Sequence, residues 1–166
     1  MNKGTLYAAS AYVLWGFFPI YFKALHNIPA IQTLNHRIVW SFLLLTVVVL
    51  ARKELPALLR SLTPRIILTY LSAALLLAIN WFVYVWAVAS GFVVESSLGY
   101  FINPLVSVLL GVIILRERLR PLQWIPVALA AIGVAILAIS YGSLPWISLT
   151  LAFSFGAYGL VKKIAS

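Results

Sequence analysis

Twenty consecutive residues, Ser96 to Leu115, carry no charge, and the run lies between Glu95 and a cluster of Arg116, Arg118 and Arg120. At about 1.5 Å of rise per residue such a run just crosses the hydrocarbon core of a bilayer as a helix. Asn103-Pro104 falls near its middle. Proline removes a backbone donor and its ring collides with the preceding turn, so the pattern predicts a kinked or broken helix with one carbonyl lacking its usual partner. In lipid, such a defect survives only where protein or a water-filled cavity satisfies it. The expectation is therefore a membrane span, pinned by its basic end, that faces a protein interior.

The rest of the chain repeats this design. Apolar runs cover about Gly4 to Phe22, uncharged and closed by Lys23 with a second kink expected at Pro19, and Ile31 to Ala51, apolar except for His36-Arg37. They continue over Ile66 to Ala89, with Asn80-Trp81 near the centre, over Pro121 to Ser140, and over Trp146 to Val161, closed by Lys162-Lys163. Between them, Glu54 to Arg65 reads as a basic surface loop or short interfacial helix, Ser90-Gly91 as a tight turn, and Tyr141 to Pro145 as turn chemistry. Charged residues make up 9% of the 166, against about 25% in soluble domains. The net charge of +9 sits in short runs between apolar segments, which marks topology and anionic-lipid contact; a nucleic-acid partner is not expected. The chain has no cysteine, which excludes disulfides and thiolate chemistry, and its acids are Glu54, Glu95 and Glu117.

The fold expected is an all-α polytopic membrane protein with six transmembrane helices. If the N-terminus lies inside and the spans alternate, ten of the twelve basic residues fall inside, and Lys23 and Arg37 fall outside. The positive-inside rule selects that orientation, with both termini cytoplasmic in a multi-pass protein of the cell (inner or plasma) membrane. Trp15 to Lys23 and Phe155 to Lys163 match at an offset of 140: each opens on an aromatic-glycine pair and closes on lysine, with Phe18 and Tyr158 at one matched position. The two segments run in opposite directions across the membrane, as an inverted repeat requires. The organisation expected is one five-helix repeat, residues 1–141, plus the first helix of an inverted second repeat, residues 142–166, with the remainder of that repeat following Ser166.

Candidate substrate contacts are the polar and aromatic groups at membrane depth: Arg37, Asn80, Asn103, Glu95, Trp15, Trp81 and Tyr100. Arg37 precedes 14 uncharged residues, roughly 21 Å of helix, so its charge lies at or inside the outer hydrocarbon boundary, where charges mark solute pathways or snorkel to headgroups. Glu95 is a possible counter-ion for Arg37 or Lys23, a proton-coupling group, or simply a helix-start carboxylate. Asn80 and Asn103 suit either a cavity lining or hydrogen bonds between helices. The aromatic residues suit packing or a flat-walled pocket. The motifs HExxH, GxSxG and the P-loop are absent, and two histidines with three scattered glutamates make no convincing metal site. No catalytic residue, cofactor or metal is expected.

These residues carry a family resemblance. Tyr21-Phe22-Lys23, His36-Arg37 with Trp40-Ser41, Asn80-Trp81 with Trp86-Ala87, and above all the string from Glu95 to Leu105 resemble the RarD branch of the EamA-type drug/metabolite transporters. Gly142 to Pro145 and Leu151 to Phe155 extend the likeness nearly to the end. The resemblance implies ten helices in two inverted five-helix repeats around a central cavity that opens to either side alternately. The branch is labelled by chloramphenicol sensitivity, which transfers no substrate. Glycine usually precedes the Glu-Arg pair after the fourth helix, where this chain has Arg116 before Glu117-Arg118. The function expected is a permease, or secondary transporter, of small organic solutes or drugs. The alternative is a non-transporting membrane interaction subunit or inactive fragment that needs a partner chain, whether a second copy or the missing second half.

Overall fold

The computed structural model describes residues 3–141 and 145–165. Among the described residues the regular structure is helical, with no strand. The helices are α1 (Lys3–Gly16), α2 (Phe18–Ala24), α3 (Ala30–Ala51), α4 (Leu55–Ser61), α5 (Pro64–Ala89), α6 (Val93–Ile114), α7 (Trp124–Tyr141) and α8 (Trp146–Ala165), with a 3-10 turn at Pro121–Gln123 leading into α7. Six stretches are long and apolar enough to cross a membrane: Gly4–Ala24, Ala30–Ala51, Pro64–Ala89, Val93–Ile114, Pro121–Ser140 and Trp146–Ala165. The chain is a multi-pass membrane protein.

Local chemistry sets the boundaries. The first span breaks at Phe17, two residues before the proline expected to kink it. Pro19 sits in the first turn of α2, where its missing donor is harmless, while its ring displaces the carbonyl four residues back and ends α1 at Gly16. The matched stretch in α8 has Gly159 where the first copy has Pro19, and α8 runs through without a break. Thr63 caps α5 by accepting a hydrogen bond from the Ile66 amide at 3.3 Å. Gly91 takes φ +89°, a left-handed turn between α5 and α6 that glycine adopts without steric cost. The stretch from Glu54 to Arg65, expected as a basic surface loop or a short interfacial helix, contains the short exposed helix α4. The turn expected at Tyr141 to Pro145 falls largely outside the described residues.

The expected interruption at Asn103-Pro104 takes a milder form. α6 is continuous from Val93 to Ile114 with Pro104 inside it. Proline deletes one rung of the ladder, but Leu98, Ile102 and Val106 on the turns around it are buried against Ala152 of α8, and this packing holds the helix together.

The core is made by α5, α6 and α8, with α2 and α3 against α5 and α7 against α6. Helices α6 and α8 run parallel: the Ser148 hydroxyl donates to the Glu95 carbonyl at 2.6 Å near their starts, and Lys163 pairs with Glu117 past the end of α6. Helix α5 runs antiparallel to α8, with Lys162 above the Tyr70 ring at 5.4 Å near one end and Val88 clustered with Ile147 near the other. Outward faces carry large apolar side chains such as Leu44, Ile113, Leu129 and Ile139. Such surfaces cost little against lipid tails of equal polarity.

Candidate functional site

The site is built around the charge placed inside the second span. Arg37 lies seven residues into α3, about 10 Å along the helix. Its guanidinium carbon sits over the Trp81 ring of α5, 3.8 Å from the centroid, and 5.7 Å from the Phe22 ring of α2. Contacts of this kind are worth about 0.5–2 kcal/mol, the larger values where water is excluded. Tyr21 of α2 and Tyr100 of α6 are close enough to interact with the guanidinium electrostatically.

The walls follow from helical spacing. Phe18 and Phe22 stand at i and i+4 on α2, so both meet α5; their centroids lie 5.9 and 6.3 Å from Trp81. Trp81 and Tyr84 stand at i and i+3 on α5, edge-on at 5.7 Å. Tyr84 meets Phe22 at 5.9 Å and Tyr100 at 5.7 Å, joining α2, α5 and α6 through edge-to-face contacts. Stacking engages the face of a guanidinium and leaves its in-plane N–H groups to find acceptors. Among the described residues, the buried Nη1 of Arg37 has no hydrogen-bond partner.

Of the seven residues expected to contact substrate, the fold gathers Arg37, Trp81 and Tyr100. Asn80, adjacent to Trp81 in sequence, points to the other side of α5. It is buried, and its amide donates to the Leu151 carbonyl at 2.9 Å and the Ser154 hydroxyl at 3.0 Å, joining α5 to α8. Asn103 is half-buried, and its Oδ1 accepts from Ser107 at a long 3.4 Å. Trp15 is 58% exposed, edge-on to Tyr12.

The ion pair considered between Glu95 and Arg37 or Lys23 does not form: among the described residues, the salt bridge is Lys163–Glu117. Glu95 occupies the first turn of α6, where the helix dipole favours a carboxylate, and the guanidinium turns to aromatic faces. Phe18, Phe22 and Tyr21 went unremarked as site residues. The i, i+4 aromatic pair on α2 was the available signal. A separate open cleft of about 490 Å³ near the far ends of α2 and α5 is lined by Lys23, His26, Val88 and Gly91 among others, and by none of the seven.

Residues 2–139 match the EamA-like transporter family. The chain belongs to that family. It is 50% identical over 169 residues to the uncharacterized transporter YojE of Bacillus subtilis, covering 99% of this chain and 57% of that protein. It is 44% identical to protein RarD of Escherichia coli, over 98% of this chain and 55% of the relative. To a protein of Pseudomonas aeruginosa named chloramphenicol-sensitive protein RarD it is 31% identical, over 98% and 56%. The chain thus spans about half the length of the curated relatives it matches. No solved structure matches it. The family match ends before α8, so the helix that completes the core lies outside it.

Proposed function

We propose that this chain forms the solute-binding part of a membrane permease for small organic solutes. The observation that carries the reading is the guanidinium of Arg37, held within a membrane-spanning helix by the Trp81 ring with a buried N–H group unpartnered. A charge at that depth is costly, and here aromatic stacking leaves donors available to a solute. Arg37, Trp81 and Tyr100 form the primary contacts. Asn103, one turn along α6 from Tyr100, and Glu95 at the head of that helix would meet a solute moving along α6. Asn80 and Trp15 would join only if α5, α8 or α1 moved. The orientation proposed has both termini in the cytoplasm of a cell-membrane protein, with residues 1–141 as a first repeat and 142–166 opening an inverted second. The test is uptake of a mixed panel of small organic solutes by proteoliposomes carrying the chain. Arg37→Ala should lower uptake by roughly tenfold or more, since a hydrogen bond to a charged group is worth about 1.5–3 kcal/mol, with membrane insertion unchanged. Full uptake by that variant would remove Arg37 from the mechanism.

A second reading has its own support. Helices α1, α3 and α7 present extended apolar faces, and the relatives are nearly twice as long. A chain that works only against a partner, either a second copy or a complementary half, would be inert alone and would cross-link to that partner in membranes.

A further inference from the structure

We infer that the Arg37 site selects a small organic anion: a carboxylate or similar oxyanion on a flat, unsaturated body. This deepens the permease reading and rests on it. The charge balance of the site is one-sided. The chain has three acids. Glu117 is paired with Lys163 near the ends of α6 and α8, Glu54 lies in the connection between α3 and α4, and Glu95 makes no ion pair with Arg37 among the described residues. The guanidinium is therefore held by ring faces alone. Rings stabilise a cation through their quadrupole without neutralising it, so the field in the site remains positive.

The donor geometry points the same way. A guanidinium presents its N–H groups in one plane, in a fork that matches the two oxygens of a carboxylate. The guanidinium carbon sits over the Trp81 ring, and the buried Nη1 has no acceptor among the described residues. A neutral acceptor could take one N–H group; an oxyanion takes two and also balances the charge. The walls supply the rest of the selectivity. The Trp81 and Phe22 rings lie beside the cation, and Tyr100, 45% exposed, is an electrostatic neighbour of Arg37 whose phenol can accept or donate. A flat apolar body with an oxyanion at one edge would place its charge on Arg37 and its ring against these walls.

The experiment compares benzoate with benzamide, nearly equal in shape but different in charge. Binding to the purified chain in phosphatidylcholine nanodiscs would be read by saturation-transfer NMR titration. Benzoate should bind saturably, at least roughly tenfold more tightly than benzamide, and Arg37→Gln should erase that preference. Arg37→Lys keeps the charge but loses the fork, so the preference should persist with weaker binding; this variant also serves if Arg37→Gln fails to fold. Equal binding of benzoate and benzamide, unchanged in Arg37→Gln, would overturn the anion inference while leaving a solute site in place. If neither probe bound, nor any neutral or cationic solute, the permease reading would be overturned as well. Because a lipid phosphate offers the same chemistry, a parallel titration uses phosphatidylglycerol discs. Loss of benzoate binding in phosphatidylglycerol that persists at about 1 M salt, which screens the anionic surface, would assign the site to a lipid headgroup and overturn the solute reading.

Discussion

Arg116 shows how one residue can run against its own backbone. It takes φ +55° just past the end of α6, where the Glu117 amide returns to the Gly111 carbonyl at 3.2 Å. This left-handed position after a helix end is one that glycine fills at least cost, and the family pattern expects glycine there. Non-glycine residues incur about 1–2 kcal/mol in that conformation. Part of this is offset because glycine loses more freedom on folding. Arg116→Gly should therefore raise stability by about 1 kcal/mol, visible as a higher thermal midpoint in detergent, and an unchanged or lower midpoint would show that the arginine side chain more than repays its strain. Here the sequence was legible: the departure from glycine singled out the position. Arg37 was legible only in part. Its depth follows from the uncharged run behind it, but its partner does not, because Trp81 lies 44 residues away and the choice between a carboxylate and a ring depends on how α3, α5 and α6 are rotated. Asn80 and Trp81 make the same point. They are neighbours in sequence, but α5 sends one to α8 and the other to Arg37.

At the level of helices, the decisive contact is that of α8 with α6. Gly99 lets them approach: a Cβ built there would lie 2.9 Å from the Leu151 Cβ and 3.1 Å from the Ser148 carbonyl oxygen. Gly156 does the same in reverse, with a Cβ position 2.9 Å from Val106 Cγ1. Small residues are how membrane helices gain van der Waals contact when no water drives them together. Gly99→Ala must push against backbone at Ser148 and should lower stability by about 1–3 kcal/mol. Gly133→Ala on α7, where a Cβ meets nothing within 4 Å, should leave stability unchanged or slightly raised. Thermal unfolding of both variants in detergent checks the pair, and equal midpoints would show that the α6–α8 seam is not tight. The spans themselves were readable because lipid imposes a minimum length on any uncharged run. The seam was legible in part: Gly16, Gly99 and Gly111 each suit close helix approach, and Gly99 makes one, but Gly16 has open space beside it. Pro104 lies inside a continuous α6, so the break it could have made is absent, because the turns around it are packed against α8.

Across the whole molecule, charge and packing agree on which ends belong together. Arg65 lies in the first turn of α5, Arg116 follows α6, and Lys162 and Lys163 stand in the last turn of α8. The parallel α6–α8 pair and the antiparallel α5–α8 pair bring these ends to the same side, tied by Glu117–Lys163 and by Lys162 over Tyr70. Helix α3 adds Arg52 and Lys53 to that side, since its start, Ala30, packs against the cluster that holds Phe22, Val88 and Ile147 at the opposite end of the bundle. The packing gathers these basic residues on one side, as the positive-inside rule requires. Which side faces the cytoplasm is open to direct measurement. The chain has no cysteine, so single cysteines report position without background. Ser90→Cys, in the turn between α5 and α6, should react with a membrane-impermeant maleimide in intact cells. Arg60→Cys, in α4 at the basic end, should react only after the membrane is opened. The reverse pattern would invert the protein and place Arg37 near the cytoplasmic face. The basic cluster would then face outward against the positive-inside rule, and the proposed orientation would fall.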